Sequence, residues 1–304
     1  MRLLMFLGGL GFLLFGMTVT EMGLRELCEG KLRSVLARSC GTVLKGAVTG
    51  CAVTALLQSS SSVTVMLTGL VDAEIIGVGD AAGIVIGSNI GTSATAWIIA
   101  FCGKGSVSIA TLYPILIIFG SLIIILVRNN KIRKLGVILS GFSLIIAGME
   151  NMSAAVAPLI DEKSFERLDD PFTCFISGLV VTGVIQSSSA SVGILQALAK
   201  TGSVTADAAI PIIIGQNIGT CSTALIAAVS AGKNAKKIPL AHLLFNILGA
   251  LLSGVLYFVI RIIIDLDFAV SPFDIASIHT AFNLLAAVPA VIITGKSRRV
   301  KRRL

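Results

Sequence analysis

The chain has 304 residues, of which 55% are hydrophobic and only 13% charged, and its mean hydropathy is +0.96. Ordinary soluble domains carry about 25% charged residues, so this composition excludes one and points to a bilayer. The excess of 24 Lys and Arg over 16 Asp and Glu reads first as loop charge that orients membrane segments, not as a nucleic-acid footprint.

Apolar runs of roughly 20 residues, long enough to span hydrocarbon, fall at 3–22, 80–101, 107–127, 135–156, 206–230, 239–264 and 275–295, which makes seven predicted crossings. The first is a permanent helix and not a leader: Met17 to Gly23 offers no A-x-A cleavage pattern, and GFLLFGM at 11–17 is echoed by GFSLIIAGM at 141–149. Two further apolar stretches, 43–71 and 172–199, are each interrupted midway by a serine cluster and do not read as simple spans. The six cysteines, at 28, 40, 51, 102, 174 and 221, form no CxxC or Cys/His grouping. They indicate neither a zinc site nor a disulfide framework. Cys102 and Cys174 map to the same outer face, which leaves a disulfide between them open.

The two interruptions are copies. TGCAVTALLQSSSSVTVMLTGL at 49–70 aligns with SGLVVTGVIQSSSASVGILQAL at 177–198 when Gln58 is placed on Gln186, and the same offset, without a gap, puts GSNIGTSAT (87–95) on GQNIGTCST (215–223). The expected organisation is a single membrane domain over 1–304. It comprises one repeat over 1–130, a second over 131–264, an extra helix at 265–295 and a basic tail at 296–304. Most Lys and Arg sort into four segments: Arg25 to Lys45, Arg128 to Lys134, Lys233 to Lys237, and Lys296 to Arg303. These are the predicted cytoplasmic loops. Between the acidic loop ending at Asp170 and the basic cluster at Lys233 the chain must then cross an odd number of times. One of its two apolar segments therefore turns back, and the serine-interrupted one is the natural re-entrant hairpin. The prediction is an all-α polytopic membrane protein with seven crossings, two inverted-topology repeats, and two opposed hairpins with QSSS at their tips. The N-terminus lies outside and the C-terminus in the cytoplasm. Non-helical backbone at membrane depth survives only where it is packed in protein or lines a wet cavity, so a site is expected where the hairpins meet.

Gln-Ser-Ser-Ser offers hydroxyls, an amide and a turn whose successive N–H groups can point at one ligand. A helix restarting after it adds its N-terminal N–H groups and dipole, giving an oxyanion cradle built without charge. The alternative is Ser bonding back to its own helix or gluing helices together. Gly-x-Asn-Ile-Gly-Thr places glycines around an asparagine, a composition that weakens a helix. A helix broken there would present neutral oxygens from Asn89, Thr92, Asn217 and Thr220, with Ser61 and Ser189, to a small cation such as Na⁺. The competing account is close glycine packing with Asn as an interhelical hydrogen-bonder. No Lys or Arg lies inside either motif, and an uncompensated buried oxyanion is costly. The compensating charge is therefore expected to travel with the substrate, as cotransport of an anion with cations.

At these residues the chain resembles the type II sodium-phosphate cotransporter family, whose members carry two copies of a QSSS-containing repeat. The resemblance runs through GFLLFGM, Gln58 to Ser61, Asn89 to Thr92, Gln186 to Ser189, Asn217 to Thr220 and HLLFN at 242–246. It implies Na⁺-coupled movement of inorganic phosphate across the plasma (inner) membrane. It also implies phosphate and Na⁺ held around Gln58, Ser59, Ser60, Ser61, Gln186, Ser187, Ser188 and Ser189, with no cofactor and no nucleic-acid partner. Many bacterial relatives append a cytoplasmic helical regulatory domain of the phosphate-uptake-regulator type; the basic tail stands in its place, and a member without that domain is expected.

His242 and Asn246, and again His279 and Asn283, sit one helical turn apart on one face. Intramembrane His is a functional candidate, against which stands neutral hydrogen bonding between helices. Glu21 and Glu150 lie near predicted helix ends, where snorkelling accounts for them, with a coupling role open for Glu150. Three other readings compete: a related oxyanion transporter or phosphate exporter, an anion channel, and a membrane serine hydrolase using His242 or His279 as base, for which no GxSxG elbow is present.

Overall fold

The computed structural model describes residues 1–28, 32–39, 41–102, 109–156 and 170–301. In chain order the helices are α1 (Arg2–Cys28), α2 (Leu32–Arg38), α3 (Val43–Leu57), α4 (Ser60–Asp72), α5 (Val78–Cys102), α6 (Ile109–Leu126) and α7 (Asn130–Val156). They continue as α8 (Pro171–Ile185), α9 (Ser188–Ala199), α10 (Ala206–Gly219), α11 (Cys221–Ala227), α12 (Lys237–Ile263) and α13 (Pro272–Lys301). Six are long and apolar enough to cross a bilayer: α1, α5, α7, α10 running on into α11, α12 and α13; α6 adds a shorter apolar helix at the remaining predicted run. Helices dominate because hydrocarbon offers backbone N–H and C=O groups no partner outside their own segment. The radial distribution of side chains is that of a membrane protein. Leu4, Phe15, Ile125, Val184, Val255 and Ile262 are exposed, whereas Thr64, Asn89, Gln196, His242, His279 and Asn283 are buried. The chain is an all-α multi-pass membrane protein.

Both serine clusters break a helix in the same way. Gln58 ends α3 and Gln186 ends α8 in the left-handed region (φ 59 and 57), each N–H closing on the carbonyl four residues back, Thr54 and Thr182. Ser59 and Ser187 then take extended backbone and cap α4 and α9 through their side chains. A left-handed residue with a Cβ costs on the order of 1–2 kcal/mol, and it recurs at both copies.

Glycine contacts fix how each pair of arms is aligned. Gly83, Gly87 and Gly91 of α5 meet Val43, Ala47 and Cys51 of α3 in ascending order; Gly215 and Gly219 of α10 meet Phe175 and Leu179 of α8. So α5 runs parallel to α3, and α10 to α8, which requires α4 and α9 to bring the chain back to the end where each hairpin began. At 15 and 13 residues for α3 and α4, and about 1.5 Å per residue, the arms are roughly 20 Å long, short of the ~30 Å hydrocarbon thickness. The repeat-equivalent first helices α1 and α7 pack antiparallel, Gly9 on Gly148 and Gly16 on Gly141, as inverted repeats would.

One expectation is corrected. In the first copy GSNIGT does not break its helix, since α5 is continuous through Gly87 to Thr92; in the second copy the helix is interrupted at Thr220, between α10 and α11, where the backbone still keeps right-handed helical dihedrals (φ −57, ψ −28). The glycines are contact faces instead. A Cβ on Gly87 would stand 1.8 Å from the Ala47 carbonyl oxygen, and one on Gly215 2.0 Å from that of Phe175.

Candidate functional site

The two hairpin tips meet. Gln58, Ser59, Ser60, Ser61, Gln186, Ser187, Ser188 and Ser189 together line one cavity of about 330 Å³, completed by Glu21, Thr18 and Thr20 of α1, Thr95 of α5 and apolar side chains such as Ile99 and Ile145. Ser189 Oγ bridges the tips, its single O–H shared between the Gln58 carbonyl (3.4 Å) and Thr95 Oγ1 (3.3 Å). Thr223 Oγ1 donates to the Gln186 carbonyl (3.2 Å). The eight residues expected to cradle the substrate are thus brought together across 128 positions of sequence.

Their hydroxyls divide by role. Ser59 Oγ and Ser187 Oγ accept from the N–H of Ser62 and Ala190 (both 3.2 Å), so these two serines are helix caps. Ser60 and Ser61, and Ser188 and Ser189, occupy the first two positions of α4 and α9, where backbone N–H groups have no intrahelical acceptor. Ser60 Oγ is buried and has no hydrogen-bond partner. Two helix N-termini with a spare hydroxyl therefore face one chamber, and both dipole ends favour an anion. Gln58 Nε2 turns back to the Ala55 carbonyl (2.5 Å), which removes one amide donor from the chamber.

The copies differ at one buried contact. Thr182 Oγ1 donates to Ser191 Oγ (2.7 Å); the equivalent of Ser191 is Val63, and Thr54 Oγ1 is accordingly left without a partner.

The remaining expected cation ligands lie elsewhere. Thr92 and Thr220 bond back to the carbonyls of Ser88 and Gln216, Asn217 Nδ2 donates to the Ile213 carbonyl, and Asn89 Oδ1 lies 2.9 Å from His242 Nε2. None of the four lines the tip cavity. Both His-Asn pairs also belong to the helix interfaces: Asn246 Nδ2 contacts Cys221 Sγ (3.3 Å), and Asn283 Nδ2 donates to Ser93 Oγ (3.0 Å). His279 is buried and 3.5 Å from Asn283 Nδ2. Neither histidine lines the serine chamber. Glu150 pairs with Lys200 Nζ (2.5 Å) at the end of α9; Glu21 does not snorkel but accepts from Ser62 Oγ (2.5 Å). The side chain of Cys102, and with it the expected possibility of a disulfide to Cys174, lies outside the described residues.

The chamber adjoins a wider cavity of about 800 Å³, which shares Glu21, Ser59, Ser61 and Gln186 as lining residues and extends past Arg25, Leu32, Gly69, Leu70 and Ile75. Ile99 also lines a third cavity of about 530 Å³ under the Glu150–Lys200 pair and residues 269–273. The end of α9 is packed: Gln196 Nε2 joins it to the carbonyls of Ala96 and Pro272, and Ser153 Oγ donates to the Ala197 carbonyl. The residues that motif reading missed are Glu21, Thr95 and Thr223. The two threonines were visible as the last shared position of GSNIGTSAT and GQNIGTCST; Glu21 was visible as a carboxylate within the first apolar run, where snorkelling accounted for it.

An all-helical membrane bundle that holds a hydroxyl-lined, solute-sized chamber between two helix N-termini has the architecture of a secondary transporter. Residues 12–154 and 163–271 match the Na⁺/Pi-cotransporter family, and the chain belongs to that family. YqeW of Bacillus subtilis (strain 168) is 30% identical over 79% of this chain and 78% of its own length. YjbB of Escherichia coli (strain K12), named for inorganic phosphate export, is 27% identical over 83% of this chain, which spans only 46% of that protein. The human sodium-dependent phosphate transport protein 2B is 38% identical over 27% of this chain and 12% of its own length. No solved structure matches.

Proposed function

We propose that the protein is a Na⁺-coupled transporter of inorganic phosphate in the plasma (inner) membrane, not an enzyme. The phosphate sits between the two hairpin tips. The observation that carries this reading is the convergence of Ser60, Ser61, Ser188 and Ser189 at two helix N-termini on one chamber. Free N–H groups and hydroxyls match the acceptor oxygens of a tetrahedral oxyanion. No Lys or Arg lines the chamber among the described residues, and a buried anion carries a desolvation penalty of several kcal/mol. Cations entering with the phosphate offset it. Of the expected Na⁺ ligands, Ser61 and Ser189 stand at the chamber and are the ones this geometry favours.

With the basic loops in the cytoplasm, the 800 Å³ cavity past Arg25 lies on the cytoplasmic side, and the end of α9 packed through Gln196 and Ser153 lies toward the outside. Alternating access then consists of closing the tips toward α1 while the Glu150–Lys200 end opens. Phosphate uptake into proteoliposomes, with and without an imposed Na⁺ gradient, tests the proposal: uptake should require Na⁺, and Na⁺-independent or absent uptake would sink it. The relationship to YjbB, named for phosphate export, favours a second reading, net export of phosphate, which counterflow from loaded vesicles separates.

A further inference from the structure

Glu21 is the one charged side chain among the described residues lining the tip chamber. It reaches the first tip through a relay: Ser59 Oγ donates to Ser62 Oγ (2.9 Å), which donates to Glu21 Oε1 (2.5 Å). Ser62 is the fourth serine of the first cluster, and its counterpart in the second cluster is Ala190. The second tip has no matching relay: Glu150 of α7 pairs with Lys200 and lines the third cavity instead. The asymmetry between QSSSS and QSSSA therefore coincides with the placement of a single carboxylate. Beside it the buried Ser60 Oγ, with no partner, lines the same chamber. Arg25, one turn along α1, lines only the wider cavity.

A carboxylate in the chamber meant for an anion is unfavourable unless something positive stands between them, because like charges a few ångströms apart repel. A hard monovalent cation resolves this with the oxygens present: the Glu21 carboxylate and the Ser62 and Ser59 hydroxyls. We propose that Glu21 is the cation-coupling residue of the first hairpin, holding a Na⁺ with Ser62 and Ser59 and keeping phosphate out until that ion is bound. The proposal rests on the phosphate-transport reading for the identity of the anion. An empty carboxylate repels phosphate, a Na⁺-occupied one does not, and binding becomes ordered, cation first.

The test uses purified full-length protein. Saturable ²²Na⁺ binding in detergent is measured alone and with phosphate, and Na⁺ activation of phosphate uptake is measured in proteoliposomes for wild type, Glu21→Gln and Ser62→Ala. Glu21→Gln should weaken Na⁺ binding by about tenfold or more and shift the Na⁺ activation curve to the same extent. Its phosphate KM at saturating Na⁺ should stay near wild type. Ser62→Ala, which keeps the charge, should give a smaller shift in the same direction, and Glu21→Asp should restore part of the loss. Wild-type Na⁺ curves in Glu21→Gln protein that elutes as a single species overturn the proposal. So does a change confined to the pH profile, which would make Glu21 a proton site. Loss of ²²Na⁺ binding in Glu21→Gln with no phosphate uptake by wild type would uphold the cation site while refuting the phosphate reading.

Discussion

Replacing individual glycines with alanine separates two roles for the GxNIGT segments. If those glycines served to unwind a helix, each Gly→Ala change would act through backbone propensity, worth about 1 kcal/mol, whatever lay opposite. If they are contact faces, the effect follows the space available. An added Cβ stands 1.8 Å from backbone at Gly87, 2.0 Å at Gly215, 2.1 Å at Gly50 and at Gly178, and 3.2 Å at Gly46; it meets nothing within 4 Å at Gly69 and Gly183. The obstructing atoms at the first four sites are carbonyl oxygens of a partner helix, which no rotamer change can move aside. Reaching an ordinary contact of 3.4 Å from 1.8 Å requires α3 and α5 to separate by about 1.6 Å, an overpacking cost of about 1–3 kcal/mol or more. Because α3 carries the first tip, the separation also displaces Gln58 and Ser59. A misplacement of ~1 Å can cost on the order of a hundredfold in turnover. Thermal unfolding in detergent and uptake per folded molecule should both rank Gly87→Ala, Gly215→Ala, Gly50→Ala and Gly178→Ala as damaging, Gly46→Ala as intermediate, and Gly69→Ala and Gly183→Ala as neutral or slightly stabilising. Equal behaviour of Gly87→Ala and Gly69→Ala would refute the contact account.

Ser60→Ala should leave thermal stability unchanged or raised, since the buried hydroxyl it removes has no partner, while transport falls sharply. Ser188→Ala should do likewise for the second tip, and wild-type kinetics in either variant would remove that copy from the site. His242→Ala strips Asn89 Oδ1 of its partner in the bundle interior and should cost about 1–3 kcal/mol in unfolding experiments. Uptake per folded molecule should be retained; loss of uptake in a stable His242→Gln protein would instead give the histidine a transport role. Thr173, through its N–H and its hydroxyl, donates twice to Asp170 at the start of α8 (both 2.7 Å) and holds that carboxyl below its ordinary value of 3.8. A depressed carboxyl contributes stability that is full above its unfolded pKa and lost as pH falls through the lowered one. Asp170→Asn keeps a capping acceptor without the titration, so its unfolding temperature should fall less than that of wild type on acidification below about pH 4; parallel acid limbs would contradict this.

Much of the fold was legible from one dimension. Apolar run length located the crossings, and the loop-charge parity argument identified 43–71 and 172–199 as hairpins. The parallel glycine contacts of α3 with α5 and of α8 with α10 agree with chains that turn back. The breaks were legible because Gln58 and Gln186 share a left-handed cap followed by a capping serine, a local device written into four residues. GxNIGT misled because glycine composition reads the same whether a helix unwinds or is approached by a neighbour; only the position of the Ala47 and Phe175 carbonyls distinguishes the two. Of the asparagines offered as cation ligands, Asn89 faces His242 of a neighbouring helix and Asn217 bonds back to the Ile213 carbonyl of its own, both away from the chamber.

The sequence by itself determined the membrane class, the duplication, and the pairing of two uncharged hydroxyl clusters, because hydropathy and repeated motifs are properties of neighbouring residues. Only the tertiary structure decided which helix faces the clusters look upon. Glu21 and Glu150 are equivalent in kind and both close to helix ends, yet one touches the first tip through Ser62 and the other is neutralised by Lys200. A helix of 3.6 residues per turn sends adjacent side chains in different directions, and which direction becomes a binding site depends on the partner packed there.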